Sequence, residues 1–184
     1  MALLYLVRHG EAASGWDGDL DPGLSDLGRR QAEQVADRLA PLGPLAIVTS
    51  PLRRTRETAA PLEARWATEA VVDPGVGEIV APMEHAGLDA RVAWLRTAMS
   101  GTWSSLGAEH HAWRRLVVER LLAVPADTVV FTHFVAVNVA VGEATGDDRV
   151  VCFSPANCSV TVLRNDGGVL RLESPGDQAT TQVL

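Results

Sequence analysis

The sequence predicts an α/β fold, a three-layer sandwich in which a mostly parallel central sheet carries helices on both faces of a single domain. Three observations lead there. Short apolar runs without alternation, 3–7 (LLYLV), 45–49 (LAIVT) and 128–132 (TVVFT), read as strands buried on both faces. Segments of helical period follow them in alternating order, the pattern of a parallel sheet. No internal repeat or long linker divides the 184 residues, a length that suits about one domain.

After the first strand, residues 10–22 are rich in Gly, Ala, Ser and Asp and form a loop. Ser25 offers an N-cap, and Leu27, Val35, Ala36 and Leu39 share one side of a helix that ends before Pro41. The pair Ser50-Pro51 predicts a helix starting directly after the second strand and running toward Ala60, where Pro61 kinks or breaks it. Residues 70–72 are strand-like. Within the Gly- and Pro-punctuated stretch 73–107, Leu88, Val92, Leu95 and Met99 mark one helix. Another is expected over 108–124, with Trp113, Leu116, Val117, Leu121 and Val124 on its apolar side. The alternating valines of 135–141 suit a strand, but their place after a strand suits a helix, and a helix is expected. Residues 158–163 and 169–172, joined by Asn165-Asp166-Gly167-Gly168, form a hairpin. The domain covers 1–184, ordered to about residue 175, with a short tail beyond.

Composition narrows the function. The net charge is −7, and all 16 basic side chains are arginines. Such a balance argues against nucleic-acid or anionic-membrane partners. It leaves room for a small anion, because a few converging guanidiniums reverse the field locally and fork onto oxyanions. Cys152 and Cys158 lack zinc-ligand spacing and read as reduced, semi-buried thiols, with one disulfide as the alternative. No basic leader precedes the N-terminal apolar run. The apolar run 128–142 is interrupted by His133 and Asn138 and is too short to span a bilayer. A cytoplasmic location is expected.

In open α/β sheets the ligand lies beyond the carboxyl ends of the strands. Here those ends deliver Arg8-His9-Gly10-Glu11, then Ser50-Pro51-Leu52-Arg53-Arg54, then His133. Imidazoles and arginines together, with no metal-ligand spacing, fit phosphoryl transfer to nitrogen. The guanidiniums neutralise phosphoryl oxygens, one neutral imidazole attacks phosphorus, and the other donates to the developing charge. A helix starting at Ser50 would add its positive end.

These residues carry a resemblance. Leu6-Val7-Arg8-His9-Gly10-Glu11 resembles the signature of the histidine phosphatase superfamily, which includes the cofactor-dependent phosphoglycerate mutases. The segment Asp21-Pro22-Gly23-Leu24-Ser25-Asp26-Leu27-Gly28-Arg29-Arg30-Gln31-Ala32 is similar to its D-x-x-L-T-x-x-G-x-x-Q-A entry. Ser50-Pro51-Leu52-Arg53-Arg54-Thr55-Arg56-Glu57-Thr58-Ala59 is similar to its S-x-L-x-R-A-x-x-T-A segment, and Thr132-His133 stands where the family has its second histidine. The motifs run in order over about three-quarters of the chain.

The resemblance implies a metal- and cofactor-independent phosphomonoesterase acting on a small phosphorylated metabolite and releasing inorganic phosphate. His9 would form a phosphohistidine. Arg8, Arg54 rather than Arg53, and His133 would hold the phosphoryl group. Glu78 would be the proton donor to the leaving oxygen, with Glu84 the competitor; such an acid needs a raised pKa. Glycine commonly follows the family's second histidine, but here Phe134 does. Its backbone N–H remains for phosphate, while its ring is expected to narrow the pocket mouth. An asparagine common in relatives is missing from 12–16, with Ser14 as its substitute in phosphate binding. The alternatives are a phosphoglycerate-type mutase, a protein phosphohistidine phosphatase, and a phosphate-binding domain without turnover. Mutases of the family carry inserts for which this length leaves little room. Glu11 reads as a local structural acceptor, and His85, His110 and His111 as exposed histidines whose spacing matches no metal pattern. Trp16 is expected to overhang the pocket, and the other tryptophans to lie mostly in the core or at an interface.

Overall fold

A computed structural model of the protein describes residues 1–15, 19, 21–82 and 87–179. Trp16, Glu84 and His85 lie outside the described residues. The six strands, in chain order, are β1 (Ala2–Arg8), β2 (Ala46–Thr49), β3 (Val71–Val72), β4 (Thr128–Thr132), β5 (Val160–Asn165) and β6 (Leu170–Ser174). They form one sheet in the order β3-β2-β4-β1-β5-β6. β1, β4, β2 and β3 run parallel, while the β5–β6 hairpin extends the other side antiparallel. The mostly parallel sheet of the sequence reading is therefore present.

Both faces of the sheet are covered, which is why its central strands are apolar between their ends. Val7, Ile47, Val129 and Phe131 face α1 (Asp26–Leu39) and α2 (Arg53–Trp66), burying Val35, Ala36, Leu39, Leu62 and Trp66. Leu4, Leu6 and Val130 face the other way, toward α3 (Leu88–Met99), α4 (Ala108–Leu122) and α5 (Phe134–Thr145). Residues 134–142 of α5 are all buried. This enclosure resolves the ambiguous valines: a helix packed all round can be apolar all round, and packing overrides the modest cost of β-branched residues.

Three local expectations need correction. The second helix starts at Arg53 rather than Ser50. Arg53 N–H donates to Asp21 Oδ1 at 2.7 Å, while Ser50 Oγ is engaged elsewhere. Pro61 does not end the helix, which continues to Trp66. A proline inside a helix costs roughly 3 kcal/mol; burying Leu62 and Trp66 beyond it, at about 1.5–3 kcal/mol for each large apolar side chain, offsets that. On α4, Leu116 stays 39% exposed beside the buried Val117.

The first turn of α1 is pressed directly against the loop that follows β1. Ser25 caps the helix by accepting from Gly28 N–H at 3.0 Å, and Ser25 Oγ donates to Glu11 Oε1 at 2.7 Å, the structural acceptor role expected of Glu11. A Cβ on Gly28 would collide with the Glu11 carbonyl, and one on Gly10 would lie 2.7 Å from the Gly28 carbonyl oxygen. Gly28→Ala should therefore lower the urea midpoint, by a stability loss of about 1–3 kcal/mol typical of overpacking. An unchanged midpoint would show that the loop yields freely.

Candidate active site

The register of the parallel β1–β4 pair sets Arg8 opposite Thr132, so the next residues, His9 and His133, leave the sheet side by side. His9 N–H donates to the Thr132 carbonyl at 3.0 Å. The two imidazole centroids are 5.3 Å apart, tilted by 60°. His9 Nδ1 lies 2.7 Å from the Gly10 carbonyl oxygen. A carbonyl only accepts, so Nδ1 carries the ring proton and Nε2 presents its lone pair. Arg54 Nε donates to that nitrogen at 3.3 Å. Burial, reinforced by the charges of Arg54 and Arg8, pushes His9 down to about 3, so the ring is neutral near pH 7. His133 is lowered for the same first reason, burial, with His9 and both guanidiniums adding to it.

His133 Nε2 lies 2.7 Å from Ser50 Oγ. Two polar atoms flanking His9 are buried without a hydrogen-bond partner among the described residues: His133 Nδ1 and Arg8 Nε. An orphaned buried donor or acceptor costs about 1–3 kcal/mol. Next to the lone pair of His9 Nε2, such atoms are suited to an oxyanion.

Arg8 and Arg54 are both buried, at 7% and 8% exposure, and burial lowers both, Arg8 to about 10. Both remain charged at neutral pH. Arg8 Nη1 donates to the Pro155 carbonyl at 2.8 Å, and its guanidinium carbon lies 5.1 Å from the centroid of the Phe134 ring. That placement corrects the expectation for Phe134. Its ring is 3% exposed, packed in the apolar cluster beneath Arg8, and does not line the cavity. As the first residue of α5, it leaves its backbone N–H free of intrahelical bonding, as at any helix start. The positive helix end beside His133 is thus that of α5, and not one beginning at Ser50. Arg53 and Arg56 are exposed, as expected from the motif register.

His9, Arg54 and Glu78 line one cavity, shared with Ala12, Ser14, Asp19, Pro22, Ile79, Arg91 and Leu95. Ser14 Oγ there accepts from Asp19 N–H at 3.3 Å. Glu78 is half-buried, and desolvation pushes its carboxyl up to about 7 against the opposing pull of Ile79 N–H, Arg54 and Arg8. A carboxyl raised that far keeps its proton closer to neutral pH than an exposed glutamate does. No group of three or more His, Cys, Asp or Glu among the described residues could hold a metal ion.

Sequence reasoning missed the frame around these groups. Asn157 Nδ2 donates to the His9 carbonyl at 2.9 Å, and Gly10 N–H donates to Thr58 Oγ1 at 3.0 Å. Thr132 Oγ1 donates to the Val76 carbonyl at 2.6 Å, fixing the chain just before Glu78. Thr58 falls inside a quoted motif and could have been found; Asn157, 148 positions from His9, carries no local signal. His110 overturns its expectation: it is 5% exposed, with Nε2 3.1 Å from the Val80 carbonyl oxygen and its ring 4.7 Å from that of Trp94. Both cysteines are free and half-buried, and burial pushes the Cys158 thiol up to about 12. No helix among the described residues is long and apolar enough to cross a membrane.

Comparison with known proteins follows the same lines. The probable phosphoglycerate mutase GpmB of Erwinia tasmaniensis is 34% identical over 124 residues, covering 65% of this chain and 51% of that protein. A glucosyl-3-phosphoglycerate phosphatase of Mycolicibacterium vanbaalenii is 38% identical over 119 residues, covering 58% and 52%. The chain spans about half the length of these curated relatives. Among solved structures, Bacillus stearothermophilus YhfR shares the fold with a TM-score of 0.79 at 20% identity, over 97% of this chain and 98% of that one. A mycobacterial glucosyl-3-phosphoglycerate phosphatase in complex with inorganic phosphate gives 0.70 at 25% identity, over 99% and 100%. The family description of the histidine phosphatase superfamily, branch 1, matches residues 4–178. With the convergent histidines and arginines already in place at the strand ends, that match over nearly the whole chain establishes this protein as a member of the histidine phosphatase superfamily.

Proposed function

We propose that the protein is a metal-independent phosphatase that hydrolyses a small phosphomonoester through a phosphohistidine on His9. The carrying observation is His9 itself: Nδ1 is committed to the Gly10 carbonyl, so the Nε2 lone pair is directed at Arg54 in the cavity that Glu78 lines. Arg8 and Arg54 balance the phosphoryl dianion; His133 Nδ1, the Phe134 N–H and Ser14 complete its binding. Nε2 attacks phosphorus, the phosphorus–oxygen ester bond breaks, and Glu78 gives its proton to the departing alkoxide. Water then attacks phosphorus and yields its proton to Glu78. The phosphorus–nitrogen bond breaks, releasing inorganic phosphate and neutral His9. Phosphatases named among the relatives support hydrolysis, and the mutase name among them supplies the second reading.

Incubation with a labelled phosphomonoester, quenched in alkali, should leave label on His9 together with free phosphate in the supernatant. No label on His9, or phosphoryl migration between hydroxyls of a bisphosphoglycerate in place of free phosphate, would overturn hydrolysis through His9.

The acid makes its own prediction. Glu78→Gln should slow alkyl phosphates by roughly 10²–10⁴-fold, the usual contribution of a general acid, while p-nitrophenyl phosphate, whose leaving group needs little protonation, changes far less. The acting form is the protonated one. The rate on alkyl esters should therefore fall as pH rises through about 7, and Glu78→Gln should flatten that limb. Equal losses on both esters would remove Glu78 from this role.

A further inference from the structure

Glu78 sits on a segment, 77–82, that belongs to no helix or strand. Glu78 Oε1 accepts from Ile79 N–H of the same segment at 3.0 Å, so the carboxyl moves with the segment and depends on what anchors it. On the N-terminal side, Thr132 Oγ1 grips the Val76 carbonyl at 2.6 Å, from the strand end next to His133. In the middle, Ile79 is buried at 4% exposure in the core cluster shared with α3, α4 and α5. On the C-terminal side, the next polar anchor is the Val80 carbonyl, 3.1 Å from His110 Nε2 on α4. Val80 itself is 73% exposed and gains no hold from packing.

His110 is built to serve as that anchor. It is 5% exposed, and its ring lies against Trp94 of α3, centroids 4.7 Å apart and planes 31° apart. The carbonyl can only accept, so Nε2 carries a hydrogen. That hydrogen is present in the neutral Nε2–H tautomer and in the imidazolium alike, so the grip does not depend on the charge of the ring. Glu109 Oε1 lies 3.7 Å from Nδ1, the nitrogen not used for the anchor.

We infer that His110 is a positioning residue that fixes Glu78 in the cavity by holding the Val80 carbonyl from α4, and so sets which leaving groups the protein can expel. The inference rests on the reading of Glu78 as the acid. Its effect belongs to the ester class that needs a proton: an alkoxide leaves only if the carboxyl is within reach, whereas p-nitrophenolate leaves nearly unaided. A displacement of about 1 Å can cost on the order of 10²-fold in such a step, and losing one hydrogen bond accounts for about 10-fold at the upper end.

The test compares His110→Phe, which keeps an aromatic ring for Trp94 but loses the donor, with His110→Gln, whose amide can donate to Val80. For each, kcat/KM is measured on glycerol 3-phosphate and on p-nitrophenyl phosphate, alone and combined with Glu78→Gln. His110→Phe should lower the glycerol phosphate to p-nitrophenyl phosphate ratio by about 10- to 100-fold, and His110→Gln should restore most of it. In the Glu78→Gln background, His110→Phe should change the ratio no further. An equal loss on both esters, or a further loss added to that of Glu78→Gln, overturns the inference.

A readout free of turnover separates this outcome from failure of the phosphatase reading. The Glu78 carboxyl is followed by carbon-detected NMR titration in both variants, with Arg8 and Arg54 facing it unchanged. With the Val80 anchor released, the carboxyl gains water, and its midpoint should move down in His110→Phe and return in His110→Gln. A midpoint that stays in place in His110→Phe sinks the positioning role even if the protein proves to hydrolyse nothing.

Discussion

Replacing His9 by alanine is expected to abolish turnover, with a loss on the order of 10⁵–10⁶-fold, as for other covalent nucleophiles that act with a fixed partner. The expectation follows from the tautomer. Among the described residues, no other nitrogen in the cavity combines a lone pair turned to a guanidinium at 3.3 Å with neutrality at pH 7. His133 cannot substitute, because its Nε2 is 2.7 Å from Ser50 Oγ and the ring is fully buried. The measurement is phosphate release under saturating ester, with circular dichroism to confirm the fold. Residual turnover above a hundredth of the parent's would mean that His9 is not the attacking group. The structural cost should be small by comparison, since the His9 carbonyl and N–H bonds to Asn157 and Thr132 are backbone contacts that alanine retains.

Arg54→Ala is expected to cost on the order of 10²–10³-fold, the magnitude of removing one preorganised electrostatic stabiliser. Arg54→Lys should recover part of this, because an ammonium restores the charge but not the fork. The pH profile supplies a stricter check. Arg54 lowers the proton affinity of both His9 and Glu78. With the cation gone, His9 protonates more readily, so its limb moves up from about 3 toward the ordinary imidazole range. Glu78 holds its proton longer, so the limb near 7 also moves up. Both limbs should therefore shift to more alkaline pH. A fall in rate with both limbs unmoved would place Arg54 outside the electrostatic field of the site.

The arrangement also explains how a chain with net charge −7 can attract an anion. Two buried guanidiniums stand near the carboxyl ends of parallel strands, where the His9 imidazole is neutral and the raised Glu78 carboxyl is only partly ionised, so that they meet less opposing charge than the acidic surface would impose. Each arginine at about 4 Å contributes roughly 4 kcal/mol gross at an effective dielectric near 20. Desolvation consumes part of it, and that cost is what lowers Arg8 to about 10. The acidic surface is left to solvent and salt.

Strands and motif residues were readable from the sequence alone because their causes are local. A strand buried on both faces must be apolar at every position, so β1, β2 and β4 announce themselves. Arg8, His9, Arg54 and His133 follow or flank such runs, and once the order is α/β they have one rim on which to meet. Pro61 misled because local propensity counts the lost hydrogen bond but not the burial of Leu62 and Trp66 on the far side. His110 misled for a related reason: a polar ring on a helix reads as exposed unless a distant carbonyl needs it. Phe134 follows His133 in sequence, but adjacency in sequence is not adjacency in space, and the first turn of α5 sends its ring into the core.

What the sequence determined by itself is the set of groups at the site, Arg8, His9, Arg54 and His133, and the alternation of elements that delivers them to one edge. The tertiary structure alone decided the state in which those groups stand. The tautomer of His9, the raised carboxyl of Glu78, the orphaned nitrogens of Arg8 and His133, and the anchors at Asn157, Thr132 and His110 depend on residues far apart in the chain. Desolvation and hydrogen-bond partnership are properties of surroundings, and surroundings exist only once the chain has closed around them.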